Sequence, residues 1–252
     1  MFKGKKVAIL GFGLEGKDLA LYLLGQGVDV SVFDKKNEAD IDFAGVDKGK
    51  MTLICGENYL KEGLGGFDYV FRSPGVYRYK AEIIEAESRG VKVSSAIKLF
   101  FEKCPAKIVG VTGTKGKGTT STLIYEILKE DGYDAYLAGN IGKPYLELLP
   151  KLKDESIVVL ELSSFQLIDM DVSPHIGVVL NITQDHLDWH KDLKEYMDAK
   201  KNIVKFQKDE DFAVINSDYE TPKSFAKEAK GKVIFFSKTL AKKYKDNLLL
   251  RG

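Results

Sequence analysis

Short apolar runs alternate with segments of helical periodicity along the first hundred residues. Continuous apolar runs, which are typical of buried strands, occupy residues 5–10, 28–33, 51–55 and 69–71. Apolar positions with helical spacing occur at 17–24 and 81–88, and residues 91–94 fit a strand or a turn. The pattern predicts a βαβ unit over residues 5–33, followed by further strands and a helix.

A second set of apolar runs begins at residue 107. These runs end at Leu162, Asn181, Ile215 and Phe236, and helical stretches separate them. Apolar strands joined by helices are typical of a parallel sheet that is covered on both faces. We therefore predict two α/β domains, at residues 1–104 and 105–252. Because the chain stops directly after the apolar run at 247–252, the second domain is expected to be incomplete at its C-terminal end.

Composition narrows the classes of partner. Lys and Arg (38) nearly balance Asp and Glu (37), so neither nucleic acid nor an anionic membrane surface is an expected partner. No apolar stretch approaches the roughly 20 residues that span a bilayer. Cys55 and Cys104 lack metal-type spacing, and the N-terminus runs into a strand without a cleavable signal. We expect a soluble cytoplasmic protein.

A glycine-rich loop, GTKGKGTT, lies between the apolar run IVGVT and a helix-compatible segment. At such a junction, backbone N–H groups point at phosphate oxygens and the helix dipole favours negative charge. Lys117 is expected to reach the outer phosphates, and Thr119, or else Thr120, to bind magnesium. The predicted phosphate-binding residues are Gly113, Thr114, Lys115, Gly116, Lys117, Gly118, Thr119 and Thr120. The second domain is therefore expected to have a P-loop-type ATP-binding α/β fold with a mostly parallel sheet.

The loop departs from the general Walker pattern at two positions. Val111 stands where the first glycine is expected, and Gly118 is inserted between the lysine and the hydroxyl residue. The alternative interpretation is an ordinary flexible turn that binds nothing.

Polar residues follow two of the later apolar runs. Glu161 follows IVVL, and Asp185 and His186 follow GVVLNIT. The carboxyl ends of parallel strands share one sheet edge with the phosphate loop, where a carboxylate and an imidazole can hold a divalent cation beside ATP. The alternatives are a salt-bridged strand end for Glu161 and a hydrogen-bonded loop histidine for His186. His175 and His190 have no such context and are expected to be structural or exposed.

The segment GFGLEG at residues 11–16 fits G-x-G-x-x-G between a strand and a helix. Asp34 ends the next strand, at the distance where an acidic residue meets a ribose hydroxyl. By itself the motif predicts a Rossmann-like domain that binds NAD, and the alternative is a Rossmann turn that binds nothing.

Together these segments resemble one family. GTKGKGTT is similar to the ATP loop of Mur ligases and of folylpolyglutamate synthetases. NIG at 140–142, ELSSFQ at 161–166, NITQDHLD at 181–188 and YMDAK at 196–200 follow the order of the D-glutamate-adding Mur ligases. With GFGLEG and SPG at 73–75, the resemblance covers essentially the whole chain. Folylpolyglutamate synthetases lack the first domain, which favours the Mur ligases.

The resemblance implies an ATP- and Mg²⁺-dependent ligase that joins D-glutamate to UDP-N-acetylmuramoyl-L-alanine through an acyl phosphate. It also implies a monomer, and a third, amino-acid-binding domain that this sequence lacks, so that the chain alone is expected to be inactive as a ligase. Three alternatives stay open: a Mur ligase for another amino acid, a pseudomurein-type ligase, and a nucleotide-binding module without chemistry.

The resemblance also assigns residues to roles. ATP contacts include Asn140 besides the glycine-rich loop, and the implied catalytic residues are Lys117, Glu161, His186 and Lys200. The metal ligands would be Thr119, Glu161, His186 and a carbamylated Lys200. The implied substrate contacts are Gly13, Leu14, Glu15, Asp34, Lys35, Ser73, Pro74, Gly75, Asn140, Ser163 and Gln166. Helical spacing alone would instead place Lys200 and Lys201 on a solvated basic face.

Overall fold

The computed structural model describes residues 2–141, 143–185 and 189–239. These residues form two compact units. The first unit contains residues 2–105 and 143–153, and the second unit contains residues 106–141 and the described residues from 154 onward. Each unit is built around one sheet, and every strand pair in both sheets is parallel. The predicted α/β class is confirmed.

The first unit has a five-stranded sheet in the order β3-β2-β1-β4-β5. Its elements are β1 (Lys6–Leu10), α1 (Leu14–Leu24), β2 (Asp29–Asp34), β3 (Met51–Cys55), β4 (Tyr69–Arg72), α2 (Ala81–Ser88), β5 (Lys92–Ser94) and α3 (Ala96–Lys103). The strand order reverses between β1 and β4, where Leu10 is in register with Arg72. The crevice beyond the carboxyl ends of these two strands is the usual ligand position in an open parallel sheet.

Buried apolar side chains hold this sheet to its helices. One cluster joins β1, β2, β4 and α2 through Ala8, Leu10, Phe33, Val70, Ile83 and Ala86. Burial of such side chains is the main favourable contribution to folding. The predicted helix at 17–24 begins three residues earlier, at Leu14, because Gly13 already serves as its N-cap.

Residues 143–153 belong to the first unit, although the sequence pattern placed the whole stretch after residue 104 in the second domain. The backbone N–H groups of Tyr145 and Leu146 donate to the carboxylate of Asp18 in α1, at 3.1 and 2.9 Å. The Tyr145 ring packs edge-on against Phe100 in α3. Contacts across more than a hundred residues therefore decide the assignment, and apolar periodicity does not report such contacts.

The second unit has a six-stranded sheet in the order β11-β10-β9-β6-β8-β7. Its elements are β6 (Lys107–Thr112), α4 (Lys117–Glu130), β7 (Ala135–Gly139), β8 (Ile157–Glu161), α5 (Ser164–Leu167), β9 (Ile176–Val179), α6 (Leu193–Lys205), β10 (Phe212–Asn216), α7 (Glu220–Ser224) and β11 (Lys232–Phe236). The sequence pattern predicts neither β7 nor α3. The run at 247–252 lies outside the described residues.

The second sheet also reverses its strand order beside its first strand. From β6 the chain goes to β7 and β8 on one side and then to β9 on the other. The loops that follow β6 and β9 therefore meet at the crevice of this sheet. In the described part of the chain the longest helix is α4, with 14 residues, and no helix is long and apolar enough to cross a bilayer.

Candidate nucleotide and phosphate sites

The glycine-rich loop of the second unit connects β6 to α4. Gly116 has a φ of +83°, a left-handed conformation that favours glycine, and is the N-cap of α4 without a side-chain capping bond. A Cβ added at Gly113 would lie 2.8 Å from the Cβ of Leu180, so only glycine fits against the loop after β9. The first-turn N–H groups of α4 lack intrahelical acceptors, which makes this end of the helix suitable for phosphate.

The side chains of the first turn differ in their surroundings. Lys117 Nζ donates to the loop carbonyl of Thr114 at 3.1 Å, so the ammonium lies over the loop. Thr119 is exposed, whereas Thr120 lines an apolar cavity beside Ile124 and Val178. The structure therefore favours Thr119 over Thr120 as the hydroxyl available to a metal.

Thr114 joins the two loops at the crevice. Its N–H donates to the carbonyl of Asn181 at 2.8 Å, and its hydroxyl lies 2.9 Å from the Tyr196 hydroxyl. The same hydroxyl donates to the Thr183 carbonyl and accepts from the Thr183 N–H, at 3.0 and 2.9 Å. Since Thr114 is engaged in this way, it holds the loop in place, and Lys115 beside it is exposed.

Glu161 ends β8 and lies against the first turn of α4. Its Oε1 accepts a 2.8 Å hydrogen bond from the side-chain amide of Asn140, and a Cβ added at Gly118 would lie 3.0 Å from Oε2. The inserted glycine at 118 thus leaves room for this carboxylate. Glu161 is 7% exposed and forms no ion pair within 4.0 Å with any residue that the structure describes, although it interacts electrostatically with Lys200.

Lys200 is buried and does not lie on a solvated face. It is 2% exposed, its Nζ donates to the Gly113 carbonyl at 3.1 Å, and Nζ lies 4.8 Å from the centre of the Tyr196 ring. Burial, followed by the positive charge of Lys117, lowers the pKa of Lys200 to about 7. A substantial neutral fraction at neutral pH makes this amine more reactive than an exposed lysine.

Two of the predicted metal ligands, Glu161 and Lys200, interact electrostatically in the second unit. The negative charges of Glu161 and Asp185 raise the pKa of Lys200, but burial and the positive charge of Lys117 lower it by more. His186 lies outside the described residues. Among the residues that are described, no three His, Cys, Asp or Glu side chains form a metal-binding group. The amide Oδ1 of Asn181 is buried and has no hydrogen-bond partner in the same part of the chain.

Ser163 and Gln166 have a local structural role. They form a capping box at the start of α5, in which the Ser163 hydroxyl accepts from the Gln166 N–H at 3.3 Å and the Ser163 N–H donates to Gln166 Oε1 at 2.9 Å. Both side chains are buried. The spacing S-x-x-Q in ELSSFQ is itself a signal for this cap.

The two remaining histidines have structural partners. His175 Nδ1 accepts the N–H of Ile108 at 3.1 Å. His190 is buried, with Nε2 2.9 Å from the Ser164 hydroxyl and Nδ1 3.1 Å from the Glu195 carboxylate. These bonds connect the starts of α5 and α6.

The turn GFGLEG of the first unit depends on close backbone packing. Gly11 has a φ of +84°, and a Cβ added at Gly16 would lie 2.1 Å from the Gly11 carbonyl oxygen. The Ser73 hydroxyl donates to the same carbonyl at 2.6 Å. Gly13 caps α1 without a side-chain bond, which leaves first-turn N–H groups for an anion at the crevice between β1 and β4.

Asp34 accepts hydrogen bonds from the backbone. Its Oδ2 accepts the N–H of Phe12 at 2.6 Å, and its Oδ1 accepts the N–H of Lys36 at 2.8 Å. The carboxylate therefore fixes the glycine turn relative to the end of β2. Lys35 is exposed and lies 3.6 Å from the Glu57 carboxylate.

Arg72 organises the turn that contains Ser73, Pro74 and Gly75. Its guanidinium is buried, with the residue 1% exposed, and Nη1 donates to the carbonyls of Ser73, Pro74 and Val76 at 3.1, 3.3 and 2.5 Å. An added Cβ at Gly75 would meet no atom within 4 Å. Arg72 was not predicted from the sequence. An arginine at the end of the apolar run YVFR is a signal that could have identified it.

The first turn of α1 carries two further predicted contacts. Leu14 is exposed, and the Glu15 carboxylate accepts a 2.5 Å hydrogen bond from the Tyr145 hydroxyl. One turn along the helix, the buried Asp18 accepts two backbone N–H bonds, and burial raises its pKa. Neither Asp18 nor Tyr145 is among the functional residues predicted from the sequence.

Two models of known families match the chain. The "Mur ligase MurD-like, N-terminal domain" matches residues 5–95, and the "Mur ligase middle domain" matches residues 111–249. The second match alone covers more than half of the chain. The chain belongs to the Mur ligase family.

Curated relatives agree with this family. The UDP-N-acetylmuramoylalanine--D-glutamate ligase of Acetivibrio thermocellus is 46% identical and aligns with 98% of this chain and 54% of its own length. The enzyme of the same name from Clostridium botulinum strain Loch Maree is 41% identical and aligns with 93% of this chain and 52% of its own. The chain therefore spans about half the length of the curated relatives it matches.

Solved structures share the fold. A UDP-N-acetylmuramate:L-alanyl-gamma-D-glutamyl-meso-diaminopimelate ligase from Neisseria meningitides superposes with a TM-score of 0.60 at 19% identity, over 92% of this chain and 78% of that one. A UDP-N-acetylmuramate-alanine ligase from Thermotoga maritima gives 0.54 at 21% identity, over 92% and 52%. At these identities the likeness concerns the fold alone.

Proposed function

We propose that this chain provides the UDP-substrate and ATP sites of a cytoplasmic, monomeric ligase that joins D-glutamate to UDP-N-acetylmuramoyl-L-alanine. The observation that carries the proposal is the buried Glu161 carboxylate beside Gly118, in the first turn of the helix that follows the phosphate loop. A dinucleotide-dependent reductase has no use for that arrangement. The D-glutamate specificity rests on the names of relatives that are 41–46% identical.

In the first unit, the substrate's diphosphate would lie at the start of α1, between the turns at 11–16 and 73–75. The backbone N–H groups of Gly13, Leu14 and Glu15 would bind its oxygens. Asp34 would act by holding Phe12 in place, because both of its carboxylate oxygens accept backbone hydrogen bonds. Each oxygen of the carboxylate can accept one further hydrogen bond, so Asp34 can also contact the nucleoside of the substrate.

In the second unit, ATP would bind along residues 113–118, with Lys117 turning from the Thr114 carbonyl to the outer phosphates. The buried carboxylate of Glu161 forms no ion pair in the described chain, and a nearby cation would offset the cost of burying its charge. Carboxylate, hydroxyl and amide oxygens are suitable ligands for Mg²⁺. Thr119, Glu161, His186 and Lys200 as a carbamate would hold the metal. Bound there, Mg²⁺ would neutralise phosphate charge.

The environment of Lys200 supports the proposal that its amine is carbamylated. Its neutral Nζ would attack the carbon of CO₂, forming an N–C bond and losing a proton, so that a cation becomes an anion. The pKa of about 7 supports this step, because the neutral amine is the reactive form. The change would also remove the repulsion between Lys200 and Lys117.

The reaction would occur in two steps. An oxygen of the alanyl carboxylate attacks the γ-phosphorus of ATP, giving an acyl phosphate and ADP. The amine of D-glutamate then attacks the acyl carbon, and the tetrahedral intermediate releases phosphate and a proton to leave the amide. Lys117 and the N–H groups of the loop would offset the repulsion between carboxylate and γ-phosphate, which is the largest electrostatic obstacle.

Calorimetric titration of the chain tests the first unit. UDP-N-acetylmuramoyl-L-alanine should bind and NAD should not; binding of NAD alone would overturn the proposal.

Titration with a non-hydrolysable ATP analogue tests the second unit. The analogue should bind only in the presence of Mg²⁺. The variant Lys117→Ala should no longer bind the analogue but should still bind UDP-N-acetylmuramoyl-L-alanine. In a polypeptide of the relatives' full length, phosphate release should require D-glutamate, and release with a different amino acid instead would reassign the specificity.

A further inference from the structure

Tyr145 contacts the first turn of α1, at the place proposed for the substrate's diphosphate. Its hydroxyl donates to Glu15 Oε2 at 2.5 Å. Glu15 is the second residue of the helix, directly after the Gly13 cap. The tyrosine comes from the segment 143–153, which belongs to the same compact unit although it is 130 residues away in sequence.

A carboxylate at this position interferes with an anion site. The start of a helix carries partial positive charge on its free N–H groups, and either a carboxylate or a phosphate is stabilised there. The Glu15 carboxylate can therefore compete with a diphosphate for the same N–H groups, and its charge repels the diphosphate at short range. Lys17 neutralises the Glu15 charge only in part, because its Nζ forms an ion pair with the Asp42 carboxylate at 2.9 Å.

Tyr145 is held firmly enough to orient Glu15. The residue is 1% exposed and its ring lies 5.6 Å from that of Phe100. Its backbone N–H and that of Leu146 both donate to Asp18, which lies one turn after Glu15 on the same face of α1. Asp18 therefore fixes the segment, and the segment fixes the position of the tyrosine hydroxyl.

We propose that Tyr145 is a positioning residue for substrate binding: its hydroxyl holds the Glu15 carboxylate away from the N-terminal N–H groups of α1 and leaves them to the substrate's diphosphate. This inference rests on the proposed function and deepens it. Glu15, which the family resemblance assigns to substrate contact, then acts through its backbone N–H, and its carboxylate opposes binding.

A double-mutant cycle measured by calorimetry tests the inference, with UDP-N-acetylmuramoyl-L-alanine and UDP as the two ligands. Tyr145→Phe removes the hydrogen bond that orients the carboxylate and should weaken both about fivefold, as expected for a charge at a helix terminus. Glu15→Gln removes the competing charge and should tighten both about threefold. In the Glu15→Gln background, Tyr145→Phe should change affinity by less than about 1.5-fold, because no competing charge remains.

Two controls separate positioning from a general structural effect. Tyr133→Phe alters an exposed tyrosine of the second unit and should leave both affinities unchanged. The weakening by Tyr145→Phe should shrink in 1 M salt, since salt screens charges over roughly 3 Å at that concentration, whereas a packing defect would persist. Thermal unfolding checks that every variant is folded.

The outcomes are distinguishable. If the wild type binds and Glu15→Gln weakens binding, Glu15 is a direct contact and the inference is wrong. If Tyr145→Phe weakens binding equally in both backgrounds, its role is packing, and the inference is again wrong. If the wild-type chain binds neither UDP ligand, the proposed function of the first unit fails, and the inference fails with it.

Discussion

The carboxylate of Glu161 and the backbone of Gly118 approach so closely that a Cβ at position 118 would lie 3.0 Å from Oε2. Asn140 holds the other carboxylate oxygen at 2.8 Å. The carboxylate is therefore fixed between the end of β7 and the first turn of α4, beside the loop that would bind ATP. The extra glycine, which makes this loop differ from the general Walker pattern, has a structural reason.

Gly118→Ala should weaken binding of a non-hydrolysable ATP analogue with Mg²⁺ about tenfold. The added methyl group displaces the Glu161 carboxylate from a position where it is held by a charge-assisted hydrogen bond. Thermal stability should change little, because alanine is a better helix former than glycine and offsets the displacement. Calorimetry with the analogue gives the affinity, and a melting curve gives the stability.

Gly66→Ala is the matched control, because an added Cβ there meets no atom within 4 Å and glycine's φ is not positive. It should leave nucleotide affinity unchanged. Wild-type affinity in Gly118→Ala would show that the contact between position 118 and Glu161 does not matter for nucleotide binding.

Lys200 should carry a carbamate when the protein is kept in ¹³C-bicarbonate near neutral pH. The buried amine has a pKa of about 7, so a substantial fraction of it is neutral at that pH. Carbon NMR should detect one carbamate resonance that is lost in Lys200→Met. Lys201→Met is the control, because Lys201 is paired with Asp198 at 3.0 Å and should not react. A resonance that persists without Lys200 would assign the modification elsewhere.

Without bicarbonate, Lys200 should make stability depend on pH. Its pKa is about 7 in the folded protein, against roughly 10.4 in an unfolded chain. The unfolded state therefore binds more protons between these values, so the free energy of unfolding should rise with pH from about 7 to 10.4. Urea unfolding at several pH values measures the slope in CO₂-free buffer.

Lys200→Met removes that titration, so the difference in the free energy of unfolding between wild type and variant should change with pH between about 7 and 10.4 and be constant outside that range. A difference that is constant across the whole range would mean that Lys200 is charged in the folded protein throughout.

Arg72→Met should lower the free energy of unfolding by about 3 kcal/mol, because it leaves buried carbonyl groups of the turn at 73–76 without their donor. Urea unfolding measures the loss. Arg89→Met is the control: Arg89 is exposed and pairs with Glu85 on the helix surface, where such pairs contribute under about 1 kcal/mol. Equal losses in the two variants would contradict a special role for Arg72.

The sequence by itself determined the class of the protein and the positions of its two glycine-rich turns. Continuous apolar runs require burial on both faces, so parallel sheets follow from the pattern, and both sheets are parallel. Glycines at 11, 16, 113 and 116 lie where strands turn into helices, because a close approach of neighbouring atoms at 16 and 113 and a positive φ at 11 and 116 disfavour a side chain there. Local chemistry of this kind can be identified within about six neighbouring residues.

Only the tertiary structure decided which polar side chains meet. Lys200 resembles a surface lysine in its helix, but it is buried against Gly113, 87 residues away. The link between Asp18 and residues 143–153 and the contact between Tyr145 and Glu15 are equally absent from the pattern. A buried polar group is stable only with a partner, and the chain path through the sheets, which periodicity does not encode, supplies that partner.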